Sequence, residues 1–350
     1  MQGFMKRGLS LLMLAMLGSP AMAASCMRYD GQGDFLGWAD YPHCLVDQHA
    51  QSTVRWLDDW FSQPPSPQPT DAVTELTPEA ALAQARVRLI NEWVLDSDGH
   101  LTPALRLRAS VALPQLARRL SLVFEDESGQ ARRIDGVPAI NEAALALRWA
   151  VFSLKRLHVD TDVGLHSATD LFVRARLRQS VPLSERDEFR AFHSLRYGLQ
   201  DSWRAIESLE LAHAFGEKRV GVLYHQLDYQ QEQSADGVHW SRGGLIAEEI
   251  SATQTMSYGI GQEGMTQPSW RPRTDSLWWR WRQRVARDWF FIEVEPRLTR
   301  SHVGGEDTRP SLALRFEVLW GGQAPSSALQ RSAVFSTAFV EPDAGMSLTP

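Results

Sequence analysis

Along most of this chain apolar residues recur at every second position, which is the period of an extended strand and not the 3.6 of a helix. The stretch from Asp275 to Trp320 shows it best. Leu277, Trp279, Trp281 and Val285 fall on one side, and Arg280, Arg282 and Arg284 on the other. Phe290, Ile292, Val294 and Leu298 then stand opposite Glu293, Glu295 and Arg297, and Leu312, Leu314, Phe316, Val318 and Trp320 opposite Arg315 and Glu317. Three successive strands therefore carry one aromatic and aliphatic face and one ionic face. The middle of the chain repeats the code, with Val173, Ala175, Leu177, Val181 and Leu183 against Arg174, Arg176 and Arg178. Nearer the start, Leu105, Leu107, Ala109, Val111 and Leu113 alternate with Arg106, Arg108 and Ser110.

An ordinary half-exposed sheet mixes Thr, Ser and Lys into its wet face. Here Arg stands on one strand and Glu on the next, which suits side chains that neutralise one another across strands inside an enclosed lumen. Trp279, Trp281, Phe290, Phe316 and Trp320 are placed as the aromatic girdles of a lipid-facing wall are. The pattern predicts an all-β fold, an antiparallel up-and-down barrel of about fourteen strands, or twelve if two weak segments are loops. A soluble sandwich or a lipocalin-like barrel, with the aromatic face as its core, is the alternative.

One segment departs from the period of two. From Cys44 to Phe61, Val46, Ala50, Val54, Leu57 and Phe61 recur at helical steps until Pro64-Pro65. A proline-rich, polar linker follows. The apolar side of this helix is expected to dock on the rim or mouth of the barrel. Lying flat on an inner leaflet suits it less, since its polar side lacks basic residues.

The first residues give the compartment. Lys6 and Arg7 precede the apolar run Leu9 to Leu17 and the small-x-small Ala21-Met22-Ala23, a cleaved export signal too short to span a bilayer. Acylation of Cys26 through a lipobox is the weaker reading, because Ala stands at its first position. The expected division is a signal over 1–23, a periplasmic helix and linker over 24–80, the barrel over 81–322 and a disordered tail over 323–350. The whole chain carries −6, and removing the two cations of the signal leaves about −8, so nucleic acid is excluded as a partner. No later stretch is apolar for about twenty residues, so a helical membrane protein is excluded too. Cys26 and Cys44 are the only cysteines, and in an oxidising compartment they are expected to form one disulfide.

Candidate chemistry is sparse, and no cofactor or metal is expected. Gly259-Ile260-Gly261-Gln262-Glu263-Gly264 has the spacing of a dinucleotide fingerprint, but MTQPSWRPR follows it in place of a helix. Its glycines read as a strand end and a loop. Asp160 and Asp162, and Glu248 and Glu249, lack the spacing of a cation loop and read as solvated strand ends. The Arg ladders have two readings, a selectivity-setting wall for anions or an internal salt-bridge network with Glu293, Glu295, Glu317 and other acids. The network is preferred, because acids stand on the strands beside the last ladder.

The export signal, the proline-rich lead-in and hairpins such as LFVRARLRQSVPL and DWFFIEVEPRL with SLALRFEVLW resemble bacterial outer-membrane β-barrel proteins. They are most similar to an uncharacterised Gram-negative group with the same closing hairpin. The resemblance spans about residues 82 to 322. It implies an outer-membrane location with both termini periplasmic, contact with outer-membrane lipid and lipopolysaccharide, and delivery by the outer-membrane assembly machinery. It implies a structural or channel-like role and leaves the oligomeric state open. Such barrels usually end on an aromatic residue, whereas about thirty residues follow Trp320 here. Either Trp320 closes the barrel or Ser332 to Val340 adds a strand, and Gly321-Gly322 favours the first. Outer-membrane phospholipases and lipid A deacylases are also barrels, and His193, Ser194, His225, His239 and Ser241 are the pieces from which such a hydrolase would be built.

Overall fold

A computed structural model describes Cys26 and residues 37–61, 84–112, 120–126, 143–154, 156–166, 170–304 and 307–321. The export signal, the proline-rich linker, the loop before Ala143 and the tail after Gly321 lie outside the described residues.

The chain divides into two compact units, one made of Met1–Arg86, Val111–Arg118 and Trp320–Gly322, the other of the remainder. The first holds a helix, α1 (Gly37–Phe61), which starts well before the expected Cys44 and accepts Pro42 near its beginning. Val54 and Ala50 of α1 pack on Ala85 and Val111. The Gln51 amide then pairs with the backbone of Ala85, donating to its carbonyl at 3.1 Å and accepting from its N–H at 3.3 Å. His43 stacks on Trp320 with ring centroids 5.6 Å apart. Gly321 follows at φ +73°, a conformation L side chains avoid, and a Cβ there would also meet the Gln51 amide at 2.7 Å.

Cys26 and Cys44 are joined in a disulfide with Cα atoms 5.7 Å apart, and no free cysteine is present among the described residues. Thiol alkylation of the native protein should add no mass, and reduction should expose two reactive thiols; label taken up before reduction would refute the bond. Closing a loop with a sequence separation of 18 stabilises this unit by about 3 kcal/mol.

The second unit supplies nearly all of a closed barrel. Its strands are β1 (Gln84–Leu95), β2 (Leu101–Ala112), β3 (Leu120–Asp126), β4 (Ala143–Leu154), β5 (Leu157–His166), β6 (Asp170–Pro182) and β7 (Asp187–Gly198). There follow β8 (Ser202–Ala214), β9 (Arg219–Gln230), β10 (Val238–Ser251), β11 (Gln254–Met265), β12 (Arg271–Arg284), β13 (Phe290–Ser301) and β14 (Asp307–Trp320). Each strand neighbours the next in sequence, and β1 meets β14 to close the ring. An even number of strands brings the start of β1 and the end of β14 to the same end of the barrel.

The all-β up-and-down barrel with an N-terminal helix is thus the observed fold, with the full fourteen strands and not twelve. Two details of the sequence reading are corrected. Val285 lies past the end of β12, and Leu183 past the end of β6. The glycines from Gly259 to Gly264 lie within β11, not in a loop. Gly259 has to be small for a packing reason, since the Trp278 ring sits 2.7 Å from where its Cβ would fall.

Candidate functional site

The register places like residues in rows around the wall, and the two faces differ sharply. On β5, Asp160 and Asp162 sit two residues apart and so point to the same side. Pairing sets Asp162 between Arg148 of β4 and Arg174 of β6, and Asp160 opposite Arg176. Asp162 is fully buried. It accepts hydrogen bonds from Arg148 Nε at 3.1 Å and from Arg174 Nε and a terminal nitrogen at 2.9 and 2.6 Å, with Arg176 at 3.4 Å. Asp160 takes Arg178 directly and Arg176 at 3.7 Å. These carboxylates are therefore not solvated strand ends; cross-strand pairing buries them among guanidinium groups.

A second cluster spans β12, β13, β14, β1 and β2. Arg280 pairs with Glu295 at 2.6 Å and Glu293 at 3.3 Å, and Arg282 with Glu317 at 3.0 Å. Arg315 reaches Glu295 and Glu92, each at 2.8 Å. Arg106 meets Glu92 at 2.9 Å, Arg88 meets Glu317 at 2.7 Å, and Arg297 meets Glu295 at 2.6 Å. Arg280 also lies over the Trp278 ring at 5.1 Å and Arg282 over Phe291 at 4.5 Å, contacts that favour a desolvated cation. Glu92 escaped the sequence reading although it is fully buried at the centre of this cluster. Its signal was its parity, two steps of two beyond Arg88. Arg284 pairs instead with Asp288 in the following turn, and Arg108 stands on the same side of β2 as Arg106, half-buried.

The opposite face carries most of the large apolar residues. Val163, Val173, Leu223, Ile260, Leu277 and Trp279 are all exposed. Phe290 stacks on Phe316 with centroids 6.5 Å apart, and Trp281, Phe290, Phe316 and Trp320 are half-buried on this side. Buried Arg, Asp and Glu with exposed Leu, Val and Trp is the reverse of a protein dissolved in water. Only a closed sheet leaves no backbone edge unsatisfied in lipid. Fold and faces together define a transmembrane β-barrel.

The inner wall is not polar throughout. Ala212, Val222, Leu245, Ala247 and Trp278 form a buried apolar sector across β8 to β12. On β7 and β8 the inward Phe192 and Ile206 and the outward His193 and Glu207 break the code.

The hydrolase pieces do not assemble. His193 and Ser194 point to opposite faces, and His193 lies opposite Glu207 in register. His225 stands on the outer face beside Arg242. His239 and Ser241 share the inner face, yet the buried Ser241 hydroxyl has no hydrogen-bond partner among the described residues, and His239 lies 4.0 Å from Glu263. Glu248 is engaged by Arg219 at 2.7 Å. Among the described residues, Asp96, Asp98 and His100 bring ligand atoms within 4.8 Å of one another in an exposed turn. The His100 backbone amide, donating to the Asp96 carboxylate at 2.8 Å, holds that acid below the usual carboxylate pKa. This local turn bonding accounts for the arrangement without an ion.

No family model matches the chain, and no curated protein matches it. Among solved structures it is similar to OmpT, an outer membrane protein of Vibrio cholerae, at 7% identity over 71% of this chain and 100% of that one, with a TM-score of 0.43. It is similar to the outer membrane channel DcaP of Acinetobacter baumannii at 8% identity, covering 68% and 96%, with a TM-score of 0.40. The KdgM porin, in complex with disordered oligogalacturonate, gives 6% identity, 66% and 98% coverage and a TM-score of 0.35. Likeness this slight carries no argument about what crosses the barrel.

Proposed function

We propose that this chain is an outer-membrane barrel of channel-like or structural role, exported by a cleaved signal over residues 1–23, with both termini in the periplasm. Residues 24–80 form a periplasmic segment, 81–322 the barrel and 323–350 a tail. The observation that carries the reading is the inversion of the wall, with Leu, Val and Trp outward and ion pairs inward. The apolar band meets outer-membrane lipid and lipopolysaccharide, and the assembly machinery inserts the chain. The Arg ladders act as an ion-pair network that sets the shape of the inner wall. Arg148, Arg174, Arg176 and Arg282 are each at most 5% exposed and bound to carboxylates, which suits a network better than a wall open to passing anions.

Fractionation is the direct test. The protein should follow outer-membrane markers, resist carbonate washing and change gel mobility on boiling. A processed chain that stays monodisperse without detergent would sink the reading. Reconstitution into planar bilayers then separates the two roles: discrete conductance steps are expected of a channel, and silence from a folded, heat-modifiable barrel leaves the structural role.

A further inference from the structure

One region of the outer wall breaks the apolar band. Two adjacent rows run across β9 to β14 in register. The row nearer the start of β1 and the end of β14 is Leu223, Gly244, Ile260, Leu277 and Leu298. The row two residues further from that end is His225, Arg242, Gln262, Asp275, Arg300 and Thr308. Because Gly244 has no side chain between Leu223 and Ile260, the rows enclose a groove of about 830 Å³. That is within the range of pockets that hold small ligands.

The polar row is built. Arg242 donates to Gln262 Oε1 at 3.1 and 2.6 Å, Gln262 Nε2 donates to Asp275 at 2.8 Å, and His302 Nε2 lies 2.8 Å from the other Asp275 oxygen. Arg242 rests over the Trp240 ring at 5.2 Å, and Trp240 stacks on the exposed Trp270 at 5.6 Å. Tryptophans beside an apolar band mark the membrane–water boundary. The two exposed guanidinium groups, Arg242 on β10 and Arg300 on β13, are three strand spacings apart, about 14 Å at roughly 4.8 Å each. Asp275 lies directly opposite Arg300 in register and interacts with it electrostatically, while its two oxygens bond Gln262 and His302; it repels an anion from the centre of the row.

We propose that this groove binds a bisphosphorylated, multiply acylated glycolipid of the lipopolysaccharide class. One phosphate meets Arg242, with His225 beside it, and the other meets Arg300, while acyl chains lie along Leu223, Ile260, Leu277 and Leu298 over Gly244. Two phosphates on a disaccharide match two separated cations flanking an acid, and a diacyl phospholipid, with one phosphate, engages a single end. The proposal rests on the outer-membrane reading, since the groove lies towards the barrel end opposite the start of β1 and the end of β14. If the termini are periplasmic, that end is in the leaflet that carries lipopolysaccharide.

The test uses full-length protein in neutral detergent, with native mass spectrometry of bound lipid during titration with bisphosphoryl lipid A, monophosphoryl lipid A or phosphatidylglycerol. Bisphosphoryl lipid A is expected to bind at least about tenfold more tightly than either of the others. That is the factor lost with about 1.4 kcal/mol of charge-assisted contact. Arg242→Gln combined with Arg300→Gln should bring it down to the monophosphoryl level. Gly244→Leu, whose Cβ would meet Leu223 at 3.0 Å on the outer face, should weaken all three lipids by filling the groove. Heat-modifiability reports folding of each variant, and if Gly244→Leu does not fold, the Arg pair alone decides. Equal affinity for the three lipids, or undiminished bisphosphoryl binding by the folded Arg variant, overturns the proposal. Failure of the outer-membrane reading would show separately, in fractionation of the unmodified protein.

Discussion

Replacing Asp162 with Asn is expected to destabilise the barrel by about 3 to 5 kcal/mol, the cost of removing one partner from a buried ion cluster. Asp162 is fully enclosed, and Arg148, Arg174 and Arg176 all converge on it. The amide keeps the shape but not the charge, so buried guanidinium groups lose their nearest counter-ion in a medium of low dielectric. The contrast is Asp307→Asn. The Arg309–Asp307 pair, 2.6 Å apart, has side chains 63% and 56% exposed, and its loss should leave stability nearly unchanged. Urea unfolding of the protein folded into vesicles gives both numbers by linear extrapolation. Equal small effects would mean that water reaches Asp162 and that its ion pairs are no stronger than surface ones.

Trp279→Arg and Leu314→Arg, both near the middle of outward-facing rows, should each cost about 2 to 4 kcal/mol, the penalty of a guanidinium facing hydrocarbon. Trp279 is 41% exposed on β12, and Leu314 of β14 pairs with Val294, which in turn faces Trp281. Ser110→Arg on the inner face of β2 should cost far less, since its neighbours there are already Arg106 and Arg108. The same unfolding measurement checks all three. If Ser110→Arg proves as damaging as Trp279→Arg, the outward and inward faces have been assigned the wrong way round.

How much of this was legible in the sequence depended on how strictly each strand kept its period. In β12, β13, β14 and β6 the alternation has few exceptions, so facing and strand identity could be read residue by residue. In β7 and β8 it fails, because His193 and Glu207 take outward positions while Phe192 and Ile206 turn inward. The partners of the ladders were harder still. Which acid meets Arg174 depends on the β5–β6 register, and one residue of slip would have sent Asp160 and Asp162 to the other face. The outer groove was invisible as such. Its residues are unremarkable in each strand and become a row only when six strands are laid side by side.

Glu92 shows what closure of the ring demands of the chain. It holds Arg106, 14 residues away, and Arg315, 223 residues away. The first partner arrives with the neighbouring hairpin, and the second only after the last strand has been made. At about 0.6 kcal/mol for each doubling of chain length between partners, bringing in the distant arginine costs roughly 2.4 kcal/mol more entropy than bringing in the local one. Insertion should therefore end on a zipping step in which the two terminal strands meet. A chain cut short before β14 would leave Glu92 half-satisfied beside an open edge, and is expected to be cleared by proteolysis before it accumulates.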